Sequence, residues 1–448
     1  MLQEIVKELE DKGCKSYFVG GFVRDNILKL KNKDIDIEVF NINYESLNSI
    51  LSKYGKTSLV GKQFGIIKLV TEDGTDYDFS LPRLENKVGV GHKGFEVFIN
   101  SNLSIKEAQR RRDFTINSLS QNTITKEVID NFNGLNHIEN RILHYVDSDT
   151  FVDDSLRVLR GFQFAGRFEL TPTQELIDLC FSMFEEYIQL PKERIFEEWF
   201  KWATKSTKPS LGLQFLKDTD WIKWYPELSS LINLIQEPAH HPEGDVWEHT
   251  LQSVDVCAKL TKDFSSDDKF ICMIGTLCHD LGKKDTTKLI DGKVTSYGHD
   301  QSGEKFTRTF LSRINCPNKF IESIVSLVKE HMVHVHYKDA PNKRSVRKLI
   351  VRLGDKSLMR LLSVVVESDH SGRGSMPKGI PITFQKMIEV SNELESEIKP
   401  ILMGKHLIQL GLLPSTQFGV ILRKCFESQL DGLFETEEDG IEYLKTII

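Results

Sequence analysis

The chain has 448 residues, 40% of them hydrophobic, which is enough for several cores and too long for one ordinary domain, so two to four domains are expected. No run approaches the roughly 20 apolar residues that a membrane helix needs. The formal net charge of -7 argues against indiscriminate nucleic-acid binding, although a global sum hides local patches.

The first residues, MLQEIVKELEDKGCKSYFVGG, read as an amphipathic helix leading into a strand, with acids where a secretory leader would be basic. The seven cysteines are scattered, with no CxxC pair, a usage that fits a reducing compartment, and a cytoplasmic location is expected. Short apolar or alternating runs predict strands at 17–21, 34–40, 65–70 and 76–81, with helical patches at 22–30 and 43–54. Roughly the first 145 residues therefore form an α+β or α/β unit with few strands. FVGGFVRD (18–25) places Gly20 and Gly21 between a strand and a helix, where backbone amides approach phosphate closely, and Arg24 offers a fork for phosphate oxygens.

Asp34 and Asp36 in KDIDIEVF stand two apart on a predicted strand, so both carboxylates point to one face. TDYDFS offers Asp76 and Asp78 from a second strand as a third ligand. Mg²⁺ takes one or two carboxylates plus phosphate oxygens, and two-metal phosphoryl transfer uses such a set. A solvated edge strand with its charges outward is the bland alternative for DxD alone; the Gly-Gly turn upstream strengthens the metal reading.

From about 150 onward strand signals nearly vanish, and DSLRVLRGFQFAGRF, QELIDLCFSMFEEYI and ERIFEEWFKWATK show helical spacing. TKSTKPS (204–210) suggests a boundary. A histidine-rich stretch follows from about 237 to 375, and the remainder is helical, its start marked by Gly404, Gly411 and Pro414.

FVGGFVRD, KDIDIEV, GKQFGIIKL, RRRDFTINSLS and DDSLRVLRGFQFAGRF, in that order and spacing, resemble the bacterial-type (class II) tRNA nucleotidyltransferases. These CCA-adding enzymes belong to the DNA polymerase β-like superfamily, which also contains bacterial poly(A) polymerases. The resemblance is dense over about the first 200 residues, and linked motifs in order are far more specific than any one of them. It implies catalytic carboxylates Asp34, Asp36 and Asp78 working with Mg²⁺, and addition of CTP and ATP to tRNA without a template. Cytosine and adenine share an exocyclic amino donor beside a ring-nitrogen acceptor, which a carboxylate next to a guanidinium complements. Asp154 and Arg157 in DDSLR occupy the family's base-reading place, one helical turn apart; a surface ion pair is the ordinary alternative.

Arg112, Asp113, Asn117 and Arg160 are further implied nucleotide contacts, though Asp113 and Asn117 suit helix capping equally well. Gln163 departs from the family, which usually carries Arg at this place. Arg194 and Glu198 in ERIFEEW read as structural ion-pairing residues. Lys62-Gln63 sides with CCA addition over poly(A) addition, and 84–97 resembles the loop that switches C to A.

His249 in GDVWEHT, His279-Asp280 in LCHDLGK and Asp369 in VVESDHSG offer nitrogen and oxygen ligands suited to Mn²⁺, Ni²⁺ or Fe²⁺. The pattern H…HD…D resembles HD-domain phosphohydrolases, which implies a second divalent metal (Ni²⁺, Mn²⁺ or Mg²⁺) and phosphoester hydrolysis; a helix bundle that has lost its metal is the competitor. Lys283 could neutralise phosphate, while His299 and His331 are either additional ligands, phosphate contacts or surface histidines. From Asn342 to Arg360 stand seven Lys/Arg against one Asp, either a solvated helix face or a phosphate-contacting stripe. The segment from Gly404 resembles the family's small helical tail, with Pro414-Ser415-Thr416 in place of Pro-Gly-Pro.

The expected fold is α+β. A small mixed-sheet nucleotidyltransferase head (1–145) precedes an all-α nucleotide-recognition neck (146–210), a helical HD metallohydrolase domain (211–385) and a helical tail (386–448). Expected partners are tRNA, CTP and ATP, with no membrane. The alternatives are an HD phosphohydrolase with an RNA-binding head, and a transferase restricted to poly(A) or to CC.

Overall fold

The computed structural model describes residues 1–32, 34–59, 65–87, 95–337, 340–394 and 398–448. Lys33, Lys62-Gln63 and residues 88–94 of the expected switching loop lie outside the described residues. Contacts divide the chain into two units, Met1–Trp224 and Tyr225–Ile448.

The first unit opens with β1 (Lys15–Val19), β2 (Ile35–Phe40), β3 (Gly55–Leu59), β4 (Ile66–Thr71) and β5 (Asp76–Ser80). β6 (Arg83–Lys87) and β7 (Phe95–Ile99) form a separate antiparallel ribbon, while β8 (Ser120–Asn122) and β9 (Val128–Ile129) complete the main sheet. Its order is β3-β4-β5-β2-β1-β8-β9. The sheet holds more strands than sequence patterning suggests. β3, β8 and β9 are too short or too polar to show alternation, and pairing with their neighbours recruits them. In β4 and β5, Ile67, Leu69, Tyr77 and Phe79 point into the core, so Asp76 and Asp78 take the opposite, exposed face. β2 and β5 run parallel, which sets Asp36 opposite Asp78.

Helix Leu156–Phe168 packs on helices Lys192–Lys205 and Pro209–Asp218. Phe162 lies against Trp199 and Trp202, with centroids 4.7 and 5.3 Å away. The 204–210 segment is a turn inside this unit: Pro209 opens the next helix, and Trp202 Nε1 donates to the Pro209 carbonyl at 3.0 Å. The change of unit therefore falls later, after Trp224.

The second unit is built mainly of helices, with a short hairpin (Lys288–Ile290 with Lys293–Thr295). Helices Val246–Leu260, Ser266–Cys278, Asn318–Glu330 and Leu358–Ser371 pack together, and Asp245 and Ser265 cap the first two through the amides of Glu248 and Asp268. The basic stretch 342–360 is spent on ion pairs. Arg344 and Lys348 meet Asp431 (2.8 and 2.6 Å), Arg347 meets Glu435, Arg352 meets Glu330 (2.8 Å) and Arg360 meets Asp268 (2.5 Å). The charges that suggested a phosphate stripe instead tie helix Lys343–Leu353 to its neighbours and to the tail. The tail adds a small core of Leu402, Leu407, Cys425, Phe434 and Leu444. Among the described residues no helix is long and apolar enough to cross a membrane.

Candidate active site in the head and candidate metal centre in the helical unit

The head site begins at the turn after β1. Gly20 adopts φ +65° with ψ -134°, a backbone conformation that side-chain-bearing residues rarely adopt, so the turn calls for glycine. Asp36 projects beside this turn. Burial raises its carboxyl above the ordinary range; Arg112 opposes that shift, while Asp78 and Asp34 add to it. Asp78 is also raised, by burial first and then by Asp76 and Asp34, with Lys68 opposing. Three carboxylates thus crowd one another, a donor set of hard oxygens that a divalent cation would relieve. Asp76 is occupied elsewhere, 2.9 Å from Lys68 Nζ.

A cavity of about 450 Å³ adjoins Asp36 and brings together Gly20, Gly21, Arg24, Arg112, Asp113, Asn117, Asp154, Arg157 and Arg160. Among the described residues, ten Lys and Arg side chains line it against three carboxylates, a field suited to a polyanion. Asp34 and Asp78 are not part of that lining; both act on Asp36, and Asp34 also acts on Arg167 and Lys205 of the wall.

Several of these groups hold one another. Arg24 is buried, donating to Asp25 Oδ1 from Nε (2.8 Å) and Nη2 (2.6 Å) and to Asn117 Oδ1 from Nη1, and it stacks 4.2 Å over Phe168. It is a positioning group more than an open phosphate fork. Asn117 Nδ2 donates to Asp113 Oδ1 at 3.0 Å, and Asp113 Oδ2 takes Arg160 Nε at 2.7 Å. Asp154 stands just ahead of helix Leu156–Phe168, where its Oδ1 accepts from the Leu156 amide (3.1 Å). The Arg157 amide donates to the Asp154 carbonyl at 3.0 Å, so the turn spacing holds. The Arg157 guanidinium is pinned by the carbonyls of Thr150 and Arg111, both at 2.7 Å.

Burial disfavours the ionised Asp113, but Arg160, Asn117 and Arg157 outweigh it and hold the carboxyl down at about 2. Because the folded value lies below the unfolded one, this contribution is fully present above about pH 4 and fades as pH falls through about 2. Asp113→Asn is therefore expected to cost the first unit about 2–3 kcal/mol at pH 7, with the deficit shrinking in acid. Urea unfolding of both chains at pH 7 and pH 3 measures it, and equal stability at pH 7 would refute the linkage.

In the second unit, His249, His279 and Asp280 are fully buried and Asp369 is nearly so. His249 Nε2 lies 3.2 Å from His279 Nε2 and 3.1 Å from Asp369 Oδ1. His279 Nδ1 faces the Thr276 carbonyl at 2.6 Å, and His249 Nδ1 faces Glu243 Oε1 at 2.8 Å. Both Nδ1 atoms are thereby donors, so two Nε2 lone pairs meet across 3.2 Å, as in a metal site whose outer contacts fix the tautomers. Burial works against charge on His249, yet Asp369 and Glu243 outweigh it and raise the group to about 9, so without a metal a proton sits on one of these Nε2 atoms.

Lys283 is held by Asp280 Oδ2 (2.7 Å) and Gln236 Oε1 (2.6 Å). It also lines a cavity of about 590 Å³ over the centre, with His240, His334 and Arg373. His299 and His331 are buried in this cluster and are not surface histidines.

Residues 16–144 match the Poly A polymerase head domain family, and 246–359 match the HD domain family. Over 328 residues the chain is 33% identical to the Multifunctional CCA protein of Psychromonas ingrahamii, spanning 71% of this chain and 75% of that one. It is 32% identical over 369 residues to the protein of the same name from Pasteurella multocida, spanning 80% and 84%. The chain belongs to the multifunctional CCA protein family. This places it among the tRNA nucleotidyltransferases. Its fold is similar to the crystal structure of the Bacillus stearothermophilus CCA-adding enzyme in complex with CTP, with a TM-score of 0.66 and 19% identity over 99% of this chain and 95% of that one.

For this multifunctional CCA family member, sequence reasoning missed part of the head cavity: Arg83, Arg167, Lys201 and Lys205. A signal existed for two of them. Arg194, Lys201 and Lys205 repeat at helical spacing on Lys192–Lys205, one face of the helix beside the cavity. Glu198, buried on the same helix, holds Lys201 at 2.8 Å. Glu38 was also missed; buried on β2, it holds Arg111 at 2.9 Å and Arg112 at 3.8 Å.

Proposed function

We propose that this chain adds CTP and ATP to the 3′ end of tRNA in the head cavity, and that the centre in its second unit hydrolyses phosphoesters. The observation that carries the first part is the Asp36–Asp78 register beside a cavity walled by ten cations. Asp34, Asp36 and Asp78 would hold Mg²⁺, which supplies charge neutralisation at the triphosphate and at the attacking hydroxyl when bound. The chain's own groups do the rest. Gly20 and Gly21 let the backbone approach the nucleotide, and Arg112 and Arg160 face the phosphates and sugar. Asp113 and Asn117 hold Arg160 and Arg24 in place. Asp154 accepts the amino group shared by cytosine and adenine, and Arg157, pinned by two carbonyls, donates to the adjacent ring nitrogen.

At the second centre, His249, His279, Asp280 and Asp369 would hold a divalent metal, and the nitrogen-rich set suits Ni²⁺ or Mn²⁺ better than Mg²⁺. Seven buried free cysteines fit the cytoplasm.

Incubating the protein with tRNA lacking its 3′ end and each labelled nucleotide in turn tests the first part. Incorporation of C and A only is expected, whereas A alone, or C alone, would restrict the activity. Asp154→Ala should narrow the preference for C and A over U and G by about 5- to 150-fold, the equivalent of 1–3 kcal/mol. A slower variant with unchanged base preference would move the reader elsewhere.

A further inference from the structure

The face of β2 that carries Asp36 carries a further acid. Glu38 follows Asp36 by two residues, so its side chain takes the same side of the strand, while Ile37 and Val39 enter the core. β2 is interior to the sheet, and Glu38 has Tyr17 of β1 and Ser80 of β5 as its neighbours. Only 1% of Glu38 is exposed. A carboxylate so buried keeps its charge only beside cationic partners. Arg111 Nη2 at 2.9 Å and Arg112 Nη2 at 3.8 Å supply them.

The two arginines serve the head cavity in different ways. The Arg112 guanidinium lies over the glycine turn, 2.9 Å from the point where a Gly20 Cβ would stand, with an Asp36 oxygen 3.9 Å from the same point. Burial works against charge on Arg112, and Glu38 opposes that most, ahead of Asp36 and Asp113. Arg111 acts through its main chain, since its carbonyl accepts from Arg157 Nη2 at 2.7 Å. Glu38 anchors this segment on the β2 side. On the other side Arg110 Nε meets Asp147 at 2.7 Å, and the Arg110 carbonyl accepts from Thr150 Oγ1 at 3.0 Å. Thr150 is also the residue whose own carbonyl completes the hold on Arg157.

We propose that Glu38 is a positioning residue that couples the phosphate end of the nucleotide site to its base-reading end. It holds Arg112 toward the phosphates and off Asp36, and through Arg111 it fixes the carbonyl that aims Arg157 at the base. The proposal rests on the reading of the head cavity as the place where C and A are chosen. Without Glu38, Arg112 has Asp36 as its next acid, and an Asp36 so paired is no longer open to a metal. Without the anchor on Arg111, one of the two carbonyls that pin Arg157 loses its fixed place.

The test uses the full chain, tRNA lacking its 3′ end and each nucleoside triphosphate in turn. Glu38→Gln keeps the shape and removes the charge. Losing charge-assisted hydrogen bonds of this kind should raise KM for CTP and ATP about tenfold and narrow the preference for C and A over U and G about as much. In an Arg111→Gln background, Glu38→Gln should have no further effect on base preference, because both changes loosen one carbonyl, while its effect on KM remains. If circular dichroism shows Glu38→Gln unfolded, Glu38→Asp keeps the charge but withdraws it by one methylene, and should move KM and base preference in the same directions. A fall in kcat with KM and base preference unchanged is what a merely structural charge gives, and would overturn the proposal. Effects on base preference that add across Glu38 and Arg111 would overturn it too, and both results leave the nucleotide site standing. A wild-type chain that incorporates all four bases alike, or none, would overturn the reading of the cavity and the proposal with it.

Discussion

Asp36→Ala is expected to abolish nucleotide addition, by about 10³-fold or more, because a metal's several kcal/mol of charge stabilisation depends on this ligand. The fold should survive. Asp36 shares β2 with Ile37 and Val39, which carry the core contacts and are untouched. The wild-type carboxylate is crowded by Asp34 and Asp78, so its removal relieves repulsion, and thermal unfolding in the absence of metal should not fall. That pairing of lost activity with kept stability separates a metal ligand from a structural aspartate. Near-normal incorporation by both Asp36→Ala and Asp34→Ala would sink the assignment of the transferase centre.

His279→Ala with Asp280→Ala is expected to reduce hydrolysis of terminal and 2′,3′-cyclic phosphates to background while nucleotide addition persists. The two chemistries use different donors: an oxygen set at the start of β2 and on β5, and a nitrogen-rich set between helices. Removing Asp280 also strips Lys283 of its buried partner, a loss of about 3–5 kcal/mol. His279→Gln, which keeps Asp280, is the variant to assay if the pair unfolds. Wild-type protein treated with chelator and reloaded should recover activity unequally, Ni²⁺ and Mn²⁺ ahead of Mg²⁺. A wild-type chain inert toward every phosphoester with each metal would make the second unit a scaffold.

Some of the site was legible because it is local. The glycine turn at 20–21, the two-residue spacing of Asp34 and Asp36, and the three-residue spacing of Asp154 and Arg157 each depend on backbone geometry that neighbours along the chain impose. The mixed-sheet head and the helical remainder follow from hydrophobic period, which the residues carry by themselves. Motif order added the family, and through it the expectation of metal and base-reading roles.

What a group pairs with was not legible, because partner choice depends on register and packing over long separations. Asp76 and Asp78 share a strand face, yet only the neighbours of β5 tell them apart: β2 sets Asp36 opposite Asp78, while Lys68 on β4 reaches diagonally to Asp76. Arg24 looked like a phosphate fork until Asp25 and Asn117 were found to hold it. The basic run at 342–360 looked open until acids as distant as Asp431 and Glu435 met it. His299 and His331 stood open in the sequence between ligand, phosphate contact and surface histidine, and only the packing that buries them 3.2 Å apart removed the surface reading. The sequence determined which chemistries were present, since residue type and short-range spacing are intrinsic to the chain. Tertiary structure decided which charges were neutralised and which stayed available, since that depends on distances no local pattern encodes.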